Sequence, residues 1–146
     1  MLPLEKSFQL AKHLSEKHKI YFFGGGKHEV ETLDNWVSQI PNSENVAGKL
    51  SLKEELLKIA GLEIMISMDS ANMHLASLVG TRCISVWGAT HPYAGFLGYG
   101  QHEDDVIQVK DLTCRPCSVF GDKKCYRGDW ACLHEINIQQ IIDKIH

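Results

Sequence analysis

The feature that most constrains the fold is a junction at residues 64–80. An apolar run, Ile64-Met65-Ile66-Ser67-Met68, gives way without a spacer to Asp69-Ser70-Ala71-Asn72-Met73-His74-Leu75-Ala76 and a helical pattern that ends at Gly80. A short apolar run bounded by such a turn is a buried strand. The helix that follows begins with unpaired backbone N–H groups and the positive end of its dipole, which together favour a bound anion such as phosphate. A strand feeding straight into a helix also commits the chain to layered α/β architecture.

The rest of the chain repeats that alternation. A helical period covers residues 4–18, with Leu4, Phe8, Leu10, Ala11 and Leu14 on one side, and Ile20-Tyr21-Phe22-Phe23 is a short apolar strand ended by Gly24-Gly25-Gly26. A helix is expected from Glu29 to Ser38, a break at Pro41-Asn42, and a brief strand over 44–47. Ser51, with Glu54 three residues on, predicts a capping box for a helix over 52–59 that Gly61 ends. Strand 63–68, helix 71–79 and strand 82–86 form a βαβ unit, and Asp105 to Val109 reads as a further strand. Residues 87–103 read as a loop beyond the strands' carboxyl ends, 114–132 as irregular, and 136–145 as a last helix. The expected fold is α/β, a Rossmann-like three-layer domain with a mainly parallel sheet.

Composition narrows the function. The 146 residues, 44% apolar, suit a single domain over 1–146, with 114–132 a Cys-rich loop within it. A net charge of −3 offers no basic face, so no nucleic-acid partner is expected. No apolar stretch approaches the roughly 20 residues that span a bilayer, and no signal-peptide pattern is present, so the reading is cytoplasmic.

Several segments, in order, resemble one family. Leu2-Pro3-Leu4-Glu5, the Phe23-Gly24-Gly25-Gly26-Lys27-His28-Glu29 turn, Gly48-Lys49-Leu50-Ser51-Leu52, the Asp-Ser junction, and Ile84-Ser85-Val86-Trp87-Gly88-Ala89-Thr90-His91-Pro92 are similar to the C-terminal half of the ADP-heptosyltransferases, glycosyltransferase family 9. The resemblance covers residues 3–146. It implies the donor-binding half of a GT-B enzyme of lipopolysaccharide-core synthesis, with a separate N-terminal acceptor half preceding it, so that this stretch alone is not expected to catalyse transfer.

The resemblance also assigns roles. Asp69, Ser70, Ala71, Asn72 and His74 would hold the donor's pyrophosphate and sugar, Gly25 and Glu29 the ribose, Leu50 the base, and Thr90 the loop beside the sugar. The family carries Gly where this chain has Ala71, whose methyl would push a phosphate outward. The implied mechanism is inverting and needs no metal or other cofactor. Its general base would lie in the acceptor half, so no catalytic residue is expected here. The implied partners are a nucleotide-sugar donor, ADP-linked, and a lipopolysaccharide-core acceptor, which would bring the protein to the periphery of the inner membrane.

From the residues alone, Ser70 reads equally as a plain helix cap, His74 as a core histidine, and the triple glycine as a structural turn with positive φ. Cys114, Cys117, Cys125 and Cys132 place four thiols within 19 residues and could hold a structural zinc, form disulfides, or stay free, while Cys83 sits in a strand as a small apolar residue. Two other functions follow from these readings: a nucleotide-binding regulatory module without transfer, and a zinc-stabilised interaction domain.

Overall fold

The structure is a computed structural model that describes residues 1–94 and 96–145. Read as one domain from sequence, the chain gathers its contacts into two compact units, Leu4–Glu55 and a larger one made of Met1–Pro3 with Leu56–His146.

In the smaller unit α1 (Leu4–Leu14) leads to β1 (Ile20–Phe22), α2 (Lys27–Val37) and β2 (Ser43–Asn45). The strands pair in parallel, Ile20 opposite Ser43 and Phe22 opposite Asn45. The apolar stripe of α1 buries Leu10, Ala11 and Leu14, while Leu4 remains 48% exposed. Trp36 of α2 meets Phe8 and Phe22 edge-on, at centroid distances of 5.6 and 5.7 Å, a favoured aromatic geometry. At the expected break Asn42 takes φ 56, a left-handed conformation that asparagine tolerates, and its side-chain amide donates to the His18 carbonyl at 2.9 Å.

Helix α3 (Leu52–Ala60) carries the chain into the larger unit. Its capping box forms as read from sequence: Ser51 N–H donates to Glu54 Oε2 at 2.8 Å and Glu54 N–H donates to Ser51 Oγ at 3.4 Å. Then come β3 (Met65–Met68), α4 (Ala71–Leu78), β4 (Cys83–Trp87), β5 (Val106–Gln108), α5 (Ala131–His134) and α6 (Ile138–Ile142), with 3₁₀ turns at Pro92–Ala94 and Glu103–Asp105. The three strands lie in the order β3-β4-β5, all parallel. All five residues of β4 are buried, as befits a central parallel strand covered on both faces. The fully buried Trp87 donates from Nε1 to Ser85 Oγ at 2.9 Å. The expected α/β class with parallel strands is therefore observed, in two ladders of two and three strands.

Two features of the C-terminal part differ from expectation. A helix, α5, starts at Ala131 within the segment read as irregular and runs beyond it to His134, and the last helix starts at Ile138 rather than 136. The reason is long-range packing: Leu133 of α5 sits so close to Gly88 that a Cβ there would come within 2.6 Å of Leu133 Cδ2. Burial of Ala131, Cys132 and Leu133, rather than local propensity, holds this short turn of helix.

The edge of the sheet is pinned by an ion pair. Arg82 donates to Asp105 through Nε at 2.8 Å and Nη2 at 2.6 Å, and Nη2 also donates to the Lys144 carbonyl at 2.8 Å. These hydrogen bonds hold the Asp105 carboxyl below its ordinary value against the opposing effect of burial.

Candidate functional site

In the larger unit the loops that follow β3 and β4 open on the same side, because the strands are parallel and Asp69 N–H still donates to the Val86 carbonyl at 3.3 Å. Ligands of open α/β sheets bind outside these carboxyl ends. Ser70 precedes α4 with φ −155 and ψ 174, the extended geometry of a residue that starts a helix. Its hydroxyl makes no capping bond to the helix and instead lies 3.0 Å from Ser67 Oγ, which donates to the Met68 carbonyl. The first turn of α4 is thus left without a side-chain cap, and although Met73 N–H donates to the Ser70 carbonyl at 3.2 Å, the N–H groups of Ala71 and Asn72 are available to an anion. Ser70 and Ala71 are exposed, and Asp69 and Asn72 are half-buried. His74 is exposed, which removes the reading of a core histidine.

The loop after β4 is held from behind by a residue that sequence reasoning passed over. The half-buried Arg115 donates through Nε to the Gly88 carbonyl, through Nη2 to Thr90 O at 2.9 Å, and through Nη1 to Val109 O at 2.8 Å. Burial lowers its pKa, while the neighbouring thiols of Cys132, Cys114 and Cys117 oppose that effect. The only signal was an Arg placed between two cysteines, which carries no mark of its distant carbonyl partners. Thr90 is buried, and its methyl would stand 3.0 Å from a Cβ at Gly121, where φ is +67, so this side chain packs beneath the loop. His91 Nδ1 accepts from Tyr93 N–H at 3.2 Å and its ring lies 4.8 Å from that of Tyr93. A cavity of about 750 Å³ runs along β5, lined by His91, Tyr93, Gln108, Lys110, Gln140 and Asp143 among others. It does not include the Asp69–Asn72 turn.

The glycine turn of the smaller unit is built differently. Glu29 Oε2 accepts from Gly25 N–H at 3.1 Å and Gly26 N–H at 3.4 Å, so this carboxylate caps its own helix. Among Gly24, Gly25 and Gly26 none has a positive φ, which corrects the expectation from sequence. Gly24 instead leaves room for the Glu29 carboxylate, since a Cβ there would meet Glu29 Oε2 at 3.0 Å, whereas Gly25 and Gly26 have open space. Leu50 is half-buried beside Lys49, which pairs with Asp34 at 3.3 Å.

The four clustered cysteines are free, as is the buried Cys83, whose thiol is pushed up to about 12 by burial with Asp105 adding to the effect. Cys125 is held below its ordinary value by backbone N–H groups of Trp130, Gly128 and Arg127, and Cys117 is pushed up by burial and by its fellow thiols. Among the described residues no group of three or more His, Cys, Asp or Glu side chains is arranged to hold a metal ion. The Cys117 thiol turns to the Cys114 carbonyl at 3.4 Å, and Cys132 is buried on α5.

Known proteins resemble this chain in sequence and in fold. Lipooligosaccharide heptosyltransferase 2 of Campylobacter jejuni serotype O:2 is 27% identical over 146 residues, covering 93% of this chain and 42% of that protein. Lipopolysaccharide heptosyltransferase 2 of Salmonella typhimurium is 26% identical, covering 94% and 39%. The chain thus spans about two fifths of the length of these relatives. Among solved structures, the E. coli ADP-heptose lps heptosyltransferase II superposes with a TM-score of 0.72 at 18% identity, over 99% of this chain and 40% of that one. A glycosyl transferase family 9 protein from Veillonella parvula superposes with a TM-score of 0.69 at 20% identity, over 97% and 39%. The family pattern described as glycosyltransferase family 9 (heptosyltransferase) matches residues 3–133, from the entry to α1 through the Asp-Ser turn to Leu133 of α5, and the chain belongs to that family.

Proposed function

We propose that this chain binds the nucleotide-sugar donor of an inverting heptosyltransferase that builds the lipopolysaccharide core, with an ADP-linked heptose as donor. The uncapped N-terminus of α4 is the observation that carries this reading. A diphosphate brings two negative charges, and an array of N–H groups at the positive end of a helix neutralises them without a counter-charged side chain. In the transition state, negative charge grows on the departing diphosphate, so donors fixed in advance at that point lower the barrier. Asp69 and His74 flank the turn and are assigned to donor binding. The base that deprotonates the acceptor hydroxyl is supplied outside these 146 residues, and this chain by itself does not complete the transfer.

The experiment is a titration with ADP, UDP and GDP followed by backbone amide shifts. ADP is expected to shift Ser70 to His74 selectively, and shifts at Gly25, Glu29 and Leu50 would assign the ribose and base contacts in the same spectrum. Equal shifts with all three nucleotides would refute the adenine preference. Silence at Ser70 to Asn72 with every nucleotide would remove the donor reading. Sugar-linked ADP binding no better than ADP would favour a nucleotide-binding module without transfer.

A further inference from the structure

Residues 110–130 differ in character from the rest of the chain. They carry Lys110, Arg115, Lys123, Lys124 and Arg127 against Asp111, Asp122 and Asp129, a local excess of cations in a chain whose net charge is −3. The same stretch exposes Val119 (56%), Phe120 (75%), Tyr126 (83%) and Trp130 (42%). The Phe120 ring meets Phe96 at a centroid distance of 5.8 Å, which joins this segment to the loop after β4, where Tyr93 and Tyr99 are also exposed. Apolar side chains gathered in this way mark an interaction surface.

The charges indicate what covers it. Asp129 is engaged by Arg127, with the shortest contact at 2.7 Å, and the Asp122 carboxylate, although beside Lys123 in sequence, accepts from Ser118 Oγ at 2.6 Å. Among the described residues no carboxylate lies within ion-pair distance of Lys123 or Lys124. Lysine is depleted where proteins meet proteins, whereas anionic headgroups attract it, and amphipathic rings settle at the headgroup level of a bilayer. We propose that Phe120, Tyr126, Lys123 and Lys124 dock this chain on an anionic phospholipid surface, rings in the headgroup layer and ammonium groups on lipid phosphates. This goes beyond the proposed function and stands apart from the donor turn.

The test is co-sedimentation of the 146-residue chain with phosphatidylcholine vesicles prepared with and without phosphatidylglycerol. Binding is expected only with phosphatidylglycerol and should weaken as salt is raised. Replacing Lys123→Gln and Lys124→Gln together should lower the partition coefficient roughly 25-fold, about fivefold per lysine. Phe120→Ser with Tyr126→Ser should lower it roughly tenfold. The lysine variant should keep the parent Tm, the ring variant should lose no more than the Phe120–Phe96 pair contributes, about 1 kcal/mol, and both should keep ADP affinity, since none of these side chains lies in the donor turn. Absence of binding to phosphatidylglycerol vesicles, undiminished binding by the lysine variant, or pelleting through self-association without vesicles would each overturn the proposal. Loss of nucleotide binding alone would bear on the donor reading and not on this one.

Discussion

Two strand-to-helix turns in this chain begin alike and end differently. After β1, the turn at Gly24–Gly26 is closed by its own helix: Glu29 reaches back to the N–H groups of Gly25 and Gly26. After β3, the turn at Asp69–Ser70 leaves the helix uncapped, and the hydroxyl that could have capped it is turned to Ser67. The first is complete within six residues. The second stays open, and it is the neighbouring loop after β4 that a distant partner holds, with Arg115 reaching 25 residues back to the carbonyl of Thr90. A turn that satisfies its own donors is stable and chemically quiet, whereas one whose helix is left uncapped keeps donors for a ligand.

The comparison can be broken most forcefully through its support. Arg115→Ala strips the side-chain donors from three backbone carbonyls and should cost about 3 kcal/mol in urea denaturation. Its amide-shift changes should gather at Gly88 to Thr90 and leave Gly25 to Glu29 unmoved. Movement at Gly25 to Glu29 as well would show that the closed turn depends on this distant support.

Asp105→Asn should cost about 2 kcal/mol, a figure reduced because the Arg82 end of the pair is partly in water. The hydrogen bonds from Arg82 lower the folded-state pKa of Asp105 from its ordinary 3.8, so its contribution is fully present above that pH and is lost as pH falls through the lower folded value. The acid limb of the stability profile should therefore flatten in the variant. An unchanged limb would assign the acid sensitivity to other carboxylates.

Making the open turn resemble the closed one is a sharper test. Ala71→Asp places a carboxylate at the first position of α4, where it occupies the dipole and repels a phosphate. ADP affinity measured by calorimetry should fall roughly tenfold or more, about 1.4 kcal/mol, while thermal stability holds or rises slightly. Undiminished affinity would place the diphosphate elsewhere. The converse change, Glu29→Ala, should open the closed turn at a cost of about 0.5 kcal/mol. It should also weaken ADP if that carboxylate serves the ribose; unchanged affinity would leave Glu29 as a cap alone.

The sequence by itself determined what short-range rules govern. The Ser51–Glu54 capping box, the β3-turn-α4 junction, the buried apolar side of α1 and the break at Pro41-Asn42 all depend on groups a few residues apart, and all are observed. Family membership was legible for the same reason, because its motifs are local strings in order. Only the tertiary structure decided which way side chains turned. It bent Glu29 onto the glycine N–H groups, sent the Ser70 hydroxyl to Ser67, buried Thr90 under the Gly121 turn, and packed Leu133 against Gly88 so that α5 formed where no local signal asked for it. Each outcome depends on atoms brought together from distant or alternative partners, and the choice among them is made by burial and hydrogen-bond satisfaction across the whole fold.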